Sequence, residues 1–485
     1  MNISIAYTEN KTYPSKDHCF RPSKCYPEMP FPEDVSPVPN DVYDMVRESL
    51  HLYGLDQEHY GSADWNPLGE IIQPGNKVLL KPNLVMHHNH NQDGSQCLYT
   101  QPSVTAAVID YVMIALKGQG KIIIGDAPMQ ECQFDVLIQE SGYDRLVEYY
   151  AKKGIDVQLC DFRNVKTYVE HGVHRLQTAS KSKGILVNMT DSSSFQGLSE
   201  EHLANMRITN YDPRILQVHH NSQTHEYLIA EDVLTSDVVI NLPKPKTHRK
   251  AGITACLKNL VGINSSKEYL PHHTNEGSKD KGDAYQKRHI IMRFANYMLD
   301  KKNALEHEGK YVRARALWHP IRIFFAVGKV IFHEKYNEGS WYGNETIWRT
   351  ILDLNKILLY ADKTGRICDS RQRKVFHIAD MIISGENDGP VNPSAKPAGI
   401  IMAGRDAVAM DQVITSLMGF DWKLIPTLRE ANNAVPPISI IEEITIISNH
   451  TQWHKMHCDD IKRSASLRFI PNPGWVEGLR EGGPS

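Results

Sequence analysis

TSDVVINLPKPKTHRKAGITACLKNLVG, residues 235–262, reads as a buried strand, a loop crowded with cations and the start of a helix. Ser236 to Leu242 is apolar enough for a central strand, and Pro243 and Pro245 end it because proline has no N–H for a ladder. Lys244, Lys246, His248, Arg249 and Lys250 follow, then Thr254 and Lys258-Asn259. Open α/β sheets bind ligands beyond the carboxyl ends of their strands, so cations crowded there point to an anionic ligand. A solvated basic loop before an ordinary helix is the plain alternative.

The same strand–exit–helix rhythm recurs on either side. Met1 to Tyr7 alternates like an opening strand, a proline-rich arm runs from Pro14 to Pro39, and Asp41 to Tyr53 has helical spacing with Asp41 as candidate cap. Lys77 to Leu80, Lys121 to Ile124 and Ile155 to Asp161 read as short strands, with a helix over Val104 to Leu116 capped by Ser103. Gly184 to Asn188 and 210–228 suggest a strand and a hairpin. Val375 to Ile383 and Ile400 to Ala403 resume the strands, Asp406 caps a helix reaching Leu417, and Ile438 to Ile447 is a late strand. The expected fold is α/β, a mostly parallel sheet with crossover helices plus a helical insertion. Its divisions are an N-terminal strand, arm and helix (1–76), a first part of the core (77–264), the insertion (265–361), a second part of the core (362–450) and a tail (451–485).

With 485 residues the chain can bury a large core, and a net charge of −3 leaves no global basic field for nucleic acid. Eight scattered cysteines without a CxxC pair read as reduced thiols, and no iron–sulfur cluster is expected. The first residues are polar where a signal peptide would be apolar, which predicts a cytoplasmic protein. Ile321 to Phe332, the most apolar run, is too short to span a bilayer and carries Arg322 and Lys329; it suits a buried or surface-lying helix, with peripheral membrane contact as an alternative. P-loop, GxGxxG, GxSxG and HExxH motifs are absent.

If the sheet is parallel, the polar groups at its strand exits share one edge: Lys81 and Asn83, Asp126, Lys244 with Lys246 and His248, Asp388, and Asp406 with Asp411. Lysines aimed by short loops suit phosphate or carboxylate, and the aspartates suit Mg²⁺. Each also has a structural reading, Asp126 and Asp406 as helix caps and Lys81 as a surface pair. His88 and His90 could share a strand face and take a transition metal, whereas His87 could not. The polar lead of the insertion adds His272, His273, Asp280 and Asp283.

VLLKPNLV (78–85), the 238–262 segment and GENDGPVNPSAKPAGIIMAGRDAVAMDQV (385–413) together resemble the domain-of-unknown-function family 362 (DUF362). The likeness spans roughly 77–420, and GSWYGNETIWRTILDLNKILLYAD (339–362) is similar to the insertion of a longer subgroup associated with polysaccharide loci. Position by position, the resemblance implies Lys81, Asn83, Asp126, Lys244, Lys246, His248, Lys258, Asn259, Asp388, Asp406 and Asp411 as the functional set. The expected function is an intracellular enzyme acting on a sugar acid or sugar phosphate. Lys81, Asn83, Lys244, Lys258 and Asn259 bind the anion, His248, Asp126 and Lys246 carry the chemistry, and Asp388, Asp406 and Asp411 hold any metal. The alternative is a non-catalytic ligand- or metal-binding protein that organises a biosynthetic complex, with the helical insertion as its docking surface.

Overall fold

A run of five parallel strands carries the architecture of the computed structural model, which describes residues 1–91, 93–178, 183–278, 281–287, 289–440 and 443–479. Asp280, expected above as part of a polar cluster, lies outside these residues. The strands of the main sheet are β1 (Asn2–Tyr7), β2 (Lys77–Pro82), β3 (Lys121–Asp126), β4 (Val157–Asp161), β5 (Val238–Leu242), β6 (Lys246–His248), β7 (Gly252–Thr254), β8 (Lys374–Glu386), β9 (Ser394–Gly404) and β10 (Thr445–Ser448). Their order is β10-β1-β9-β8-β5-β2-β3-β4, and β8, β5, β2, β3 and β4 are mutually parallel. Strand β9 runs antiparallel to both β8 and β1. Strands β6 and β7 form a hairpin that joins the far end of β8 through Lys246 and Gly385.

The middles of the central strands are apolar because both faces are covered. Leu79, Ile123 and Val239 point into one core with helices α6 (Ile347–Tyr360) and α7 (Ala407–Met418). Their neighbours Val78, Leu80, Ile122, Val238 and Ile240 point into the other, with α1 (Asp41–Tyr53) and α2 (Pro102–Leu116). Between them in sequence lie α3 (Cys256–Asn259), α4 (Ile290–His307) and α5 (Tyr311–Ile331). Among the described residues no helix is long and apolar enough to cross a membrane.

Several local expectations shift. Helix α1 is capped by Asn40, whose side chain accepts from the Tyr43 N–H, rather than by Asp41. Helix α2 starts at Pro102, so Ser103 lies inside its first turn and makes no cap. Residues 213–219 are helical instead of part of a hairpin, because Asp212 accepts from the Arg214 N–H and Pro213 supplies a preset first φ. Helix α6, read above with the insertion, is buried along nearly its whole length against the sheet and serves as a core crossover.

The expected metal aspartates serve the backbone. Asp406 accepts from the Ala409 and Ile440 N–H groups and the Ser439 hydroxyl, capping α7. Asp411 accepts from the N–H groups of Cys256 at 2.7 Å and Leu257 at 3.0 Å, which fixes the start of α3. Replacing Asp411 with Ala leaves two buried donors without acceptors. The expected cost is about 1–3 kcal/mol, read as a lower thermal midpoint, with Asp411→Asn intermediate.

Candidate functional site

The carboxyl ends of β2 and β3 and the β6–β7 hairpin open onto a cavity of about 220 Å³. Asn83, Asp126, His248, Lys258 and Asn259 line it, as do Gln130, Glu131, Tyr211, Arg249, Lys250, Thr254, Lys267 and His272. Four cationic side chains therefore face it against two carboxylates, and both carboxylates already have partners.

Asp126 sits at the end of β3 with Oδ1 2.7 Å from the Lys81 ammonium, and its Oδ2 accepts the Leu84 N–H at 2.6 Å. Both side chains are buried, and burial, partly offset by Asp126, lowers the Lys81 pKa. A Cβ at residue 262 would fall 1.9 Å from Asp126 Oδ1 and 2.8 Å from Lys81 Nζ, so only glycine fits against this pair. The second carboxylate, Glu131, lies 3.2 Å from His174 Nε2.

The cations are compensated to different degrees. Lys250 donates to the Glu338 carbonyl and to Thr209 Oγ1, and burial pushes its pKa down to about 8. Lys267 donates to the Ala127 carbonyl at 2.8 Å, and burial pushes it down to about 7. Lys258 has no hydrogen-bond or ion-pair partner among the described residues, and burial lowers it to about 8 although Asp126 opposes the shift. Arg249 likewise has no side-chain partner among them, since only its backbone is engaged, with Gly389 and Trp475.

Two imidazoles complete the lining, in opposite tautomers. His248 Nδ1 accepts from the N–H groups of Lys250 at 3.0 Å and Ala251 at 3.1 Å, so its proton sits on Nε2 and the ring is a donor. His272 Nδ1 lies 2.6 Å from the Leu270 carbonyl and must donate to it, which leaves Nε2 as a lone-pair acceptor. Burial first, then the surrounding lysines and Arg249, hold His248 well below the usual histidine range; burial and Lys250 do the same to His272.

The remaining sequence candidates lie elsewhere. Lys244 pairs with Asp380 at 3.0 Å and donates to Tyr13, tying the proline-rich arm to the sheet. Lys246 donates to Asn83 Oδ1, the Leu98 carbonyl and the Lys244 carbonyl at 2.6, 2.7 and 3.3 Å, and burial brings it to about 7. Neither lysine lines the cavity. Asn259 lines it while bridging the Lys81 carbonyl and Asn241. Asp388 is exposed and accepts from Asn392 and Asn472, apart from Asp406 and Asp411. His88 and His90 are exposed in a loop rather than a strand, with ring centroids 5.0 Å apart. Among the described residues no three His, Cys, Asp or Glu side chains group as metal ligands. Lys267, Gln130, Glu131 and Tyr211 were not singled out from the sequence; Lys267 follows the opening stretch by five residues, beyond the strand-exit pattern.

A family model described as a domain of unknown function (DUF362) matches residues 78–189 and 188–416. The thylakoid-associated protein sll1697 of Synechocystis sp. is 22% identical over 361 residues, covering 74% of this chain and 68% of that protein. No solved structure matches.

Two measurements separate support from site. Asp126→Ala strands Lys81 as an uncompensated buried charge and is expected to destabilise by about 3–5 kcal/mol, whereas Lys258→Ala removes an unpaired cation and leaves the thermal midpoint unchanged or raised. The free protein should also gain stability as pH rises from about 7 to about 8, below the range in which the buried cysteines and tyrosines, whose values burial raises, reverse the slope. In that window the unfolded chain holds lysine protons that the folded chain has released, so unfolding takes up protons and becomes harder with rising pH. Chemical denaturation across the range checks the slope.

Proposed function

The chain belongs to the DUF362 family, and on that premise we propose that it binds a small anionic molecule in this cavity and moves a proton on it. The observation that carries the reading is Lys258, a half-buried cation that lines the cavity without a hydrogen-bond or ion-pair partner among the described residues, beside Arg249, Lys250 and Lys267. Buried charge is expensive unless paired, and a carboxylate or phosphate supplies the missing partner. Asn83, Thr209, Asn210 and Tyr211 offer hydrogen bonds to hydroxyls, which supports a sugar acid or sugar phosphate as the substrate class. A place in cytoplasmic polysaccharide-related metabolism is the context we attach to that class.

In this reading the lysines hold the anion, His248 donates through Nε2–H to a developing oxyanion, and His272 Nε2 accepts the proton that leaves the substrate. The bound anion offsets the lysine charges that add to burial in holding His272 low, which favours proton uptake there when the cavity is filled. Asp126 positions this machinery through Lys81 and the Leu84 N–H.

Thermal-shift titration with sugar acids and sugar phosphates tests the reading: at least one raises the midpoint, and Lys258→Ala and Lys267→Ala abolish the shift with the fold intact. No shift with any compound of either class overturns it. Calorimetry in buffers of different ionisation enthalpy adds a sign. Near pH 8, where Lys250 and Lys258 are half deprotonated, binding takes up protons, and affinity falls as pH rises through that region.

A further inference from the structure

Helices α4 and α5 form an antiparallel hairpin, with Phe294 against Phe324 at 5.1 Å and His289 against Phe332 at 4.9 Å. Along α5 the buried positions Ala314, Ile321 and Gly328 recur every seven residues and face inward. On the opposite face Val312, Ala316, His319, Ile323, Ala326 and Val330 recur at spacings of three and four and are all exposed. The exposure is large for apolar side chains, 86% at Val312, 61% at Ile323 and 71% at Val330. Helix α4 adds Ile290, 83% exposed, at the hairpin end where Ile331 and Phe332 are also open. An apolar face this continuous is uncommon on a protein surface facing only water.

Beside the apolar stripe runs a cationic one, Arg315, Arg322 and Lys329, again seven residues apart and exposed. None of the three has an ion-pair partner among the described residues, and α5 contains no acidic residue. The acids of α4 are engaged elsewhere, Asp300 with Arg207 and Glu306 with Lys302. A stripe of apolar side chains edged by uncompensated cations matches the boundary of an anionic bilayer, where acyl chains lie below phosphate headgroups. Pairing with a protein strand or groove would satisfy the apolar stripe without using the cations.

We propose that this hairpin lies flat on an anionic membrane surface, with the Val312–Val330 face in the acyl boundary and Arg315, Arg322 and Lys329 on lipid phosphates. The test is co-sedimentation of the full chain with vesicles of phosphatidylcholine alone and of phosphatidylcholine mixed with phosphatidylglycerol. Binding is expected to the mixed vesicles, about tenfold weaker to the neutral ones, and weakened by salt. Arg315→Glu with Arg322→Glu should lower the partition about tenfold or more, and Ile323→Asp should lower it with the cations intact. These positions are exposed, so an unchanged thermal midpoint shows that each variant folds. Wild-type protein left in the supernatant, or equal partition of wild type and variants, overturns the proposal. So does a wild-type dimer in sedimentation equilibrium that Ile323→Asp dissolves, because a second copy would then cover the face.

Discussion

Taking an ammonium out of water costs several kcal/mol unless a counter-charge or a set of oxygens replaces the solvent, and this chain buries one after another at a single edge of its sheet. Lys81 is answered by Asp126 and Lys244 by Asp380. Lys246 is answered by neutral oxygens alone, and Lys250 and Lys267 by carbonyls and a hydroxyl. Lys258 has no hydrogen-bond or ion-pair partner among the described residues and feels Asp126 only at longer range. Compensation thus falls from full ion pairs within the sheet to neutral acceptors at Lys250 and Lys267 and to no direct partner at Lys258, where a ligand would complete the set.

That gradient explains why one family of lysines does two kinds of work. Lys81, Lys244 and Lys246 join segments far apart in sequence: β2 to β3, β5 to the proline-rich arm, and the β6 hairpin to the loop after β2. They add side-chain ties to the strand exits, whose spacing the sheet ladders set. A seemingly basic loop is therefore mostly internal bracing, with its free charge concentrated in Arg249 and Lys258.

The parallel core was legible because strands buried on both faces read as mostly apolar runs, as in VVINL with its single Asn241, and because proline marks their ends. Convergence of Asn83, Asp126 and His248 on one edge followed from parallelism alone. Which lysine lines the cavity was not legible: Lys246 and Lys258 look alike in sequence, and only the oxygens around Lys246 show that it is occupied. Asp406 and Asp411 resembled metal ligands for the same reason, since a carboxylate accepting backbone N–H groups is indistinguishable in sequence from one awaiting a cation. The Asp212-Pro213 helix start was missed because the pair also opens turns. Lys267 was obscured by lying where the strand rhythm stops, whereas His272 stood out in the polar lead of the insertion.

The segment after 264 nonetheless belongs to the site as much as the sheet does. Its first residues bring Lys267 and His272 to the cavity, and near its end the Glu338 carbonyl holds Lys250. The α4–α5 hairpin leaves and returns between those two anchors, tied to the body by Arg207 with Asp300 and by His174 with Glu306. Cation excess recurs in both places, but with different company. In the cavity it meets neutral hydrogen-bonding groups and a volume suited to a small molecule, whereas on α5 it borders an open apolar stripe. The neighbouring groups, rather than the charge, distinguish the pocket proposed for a small anion from the surface proposed for a layer of them.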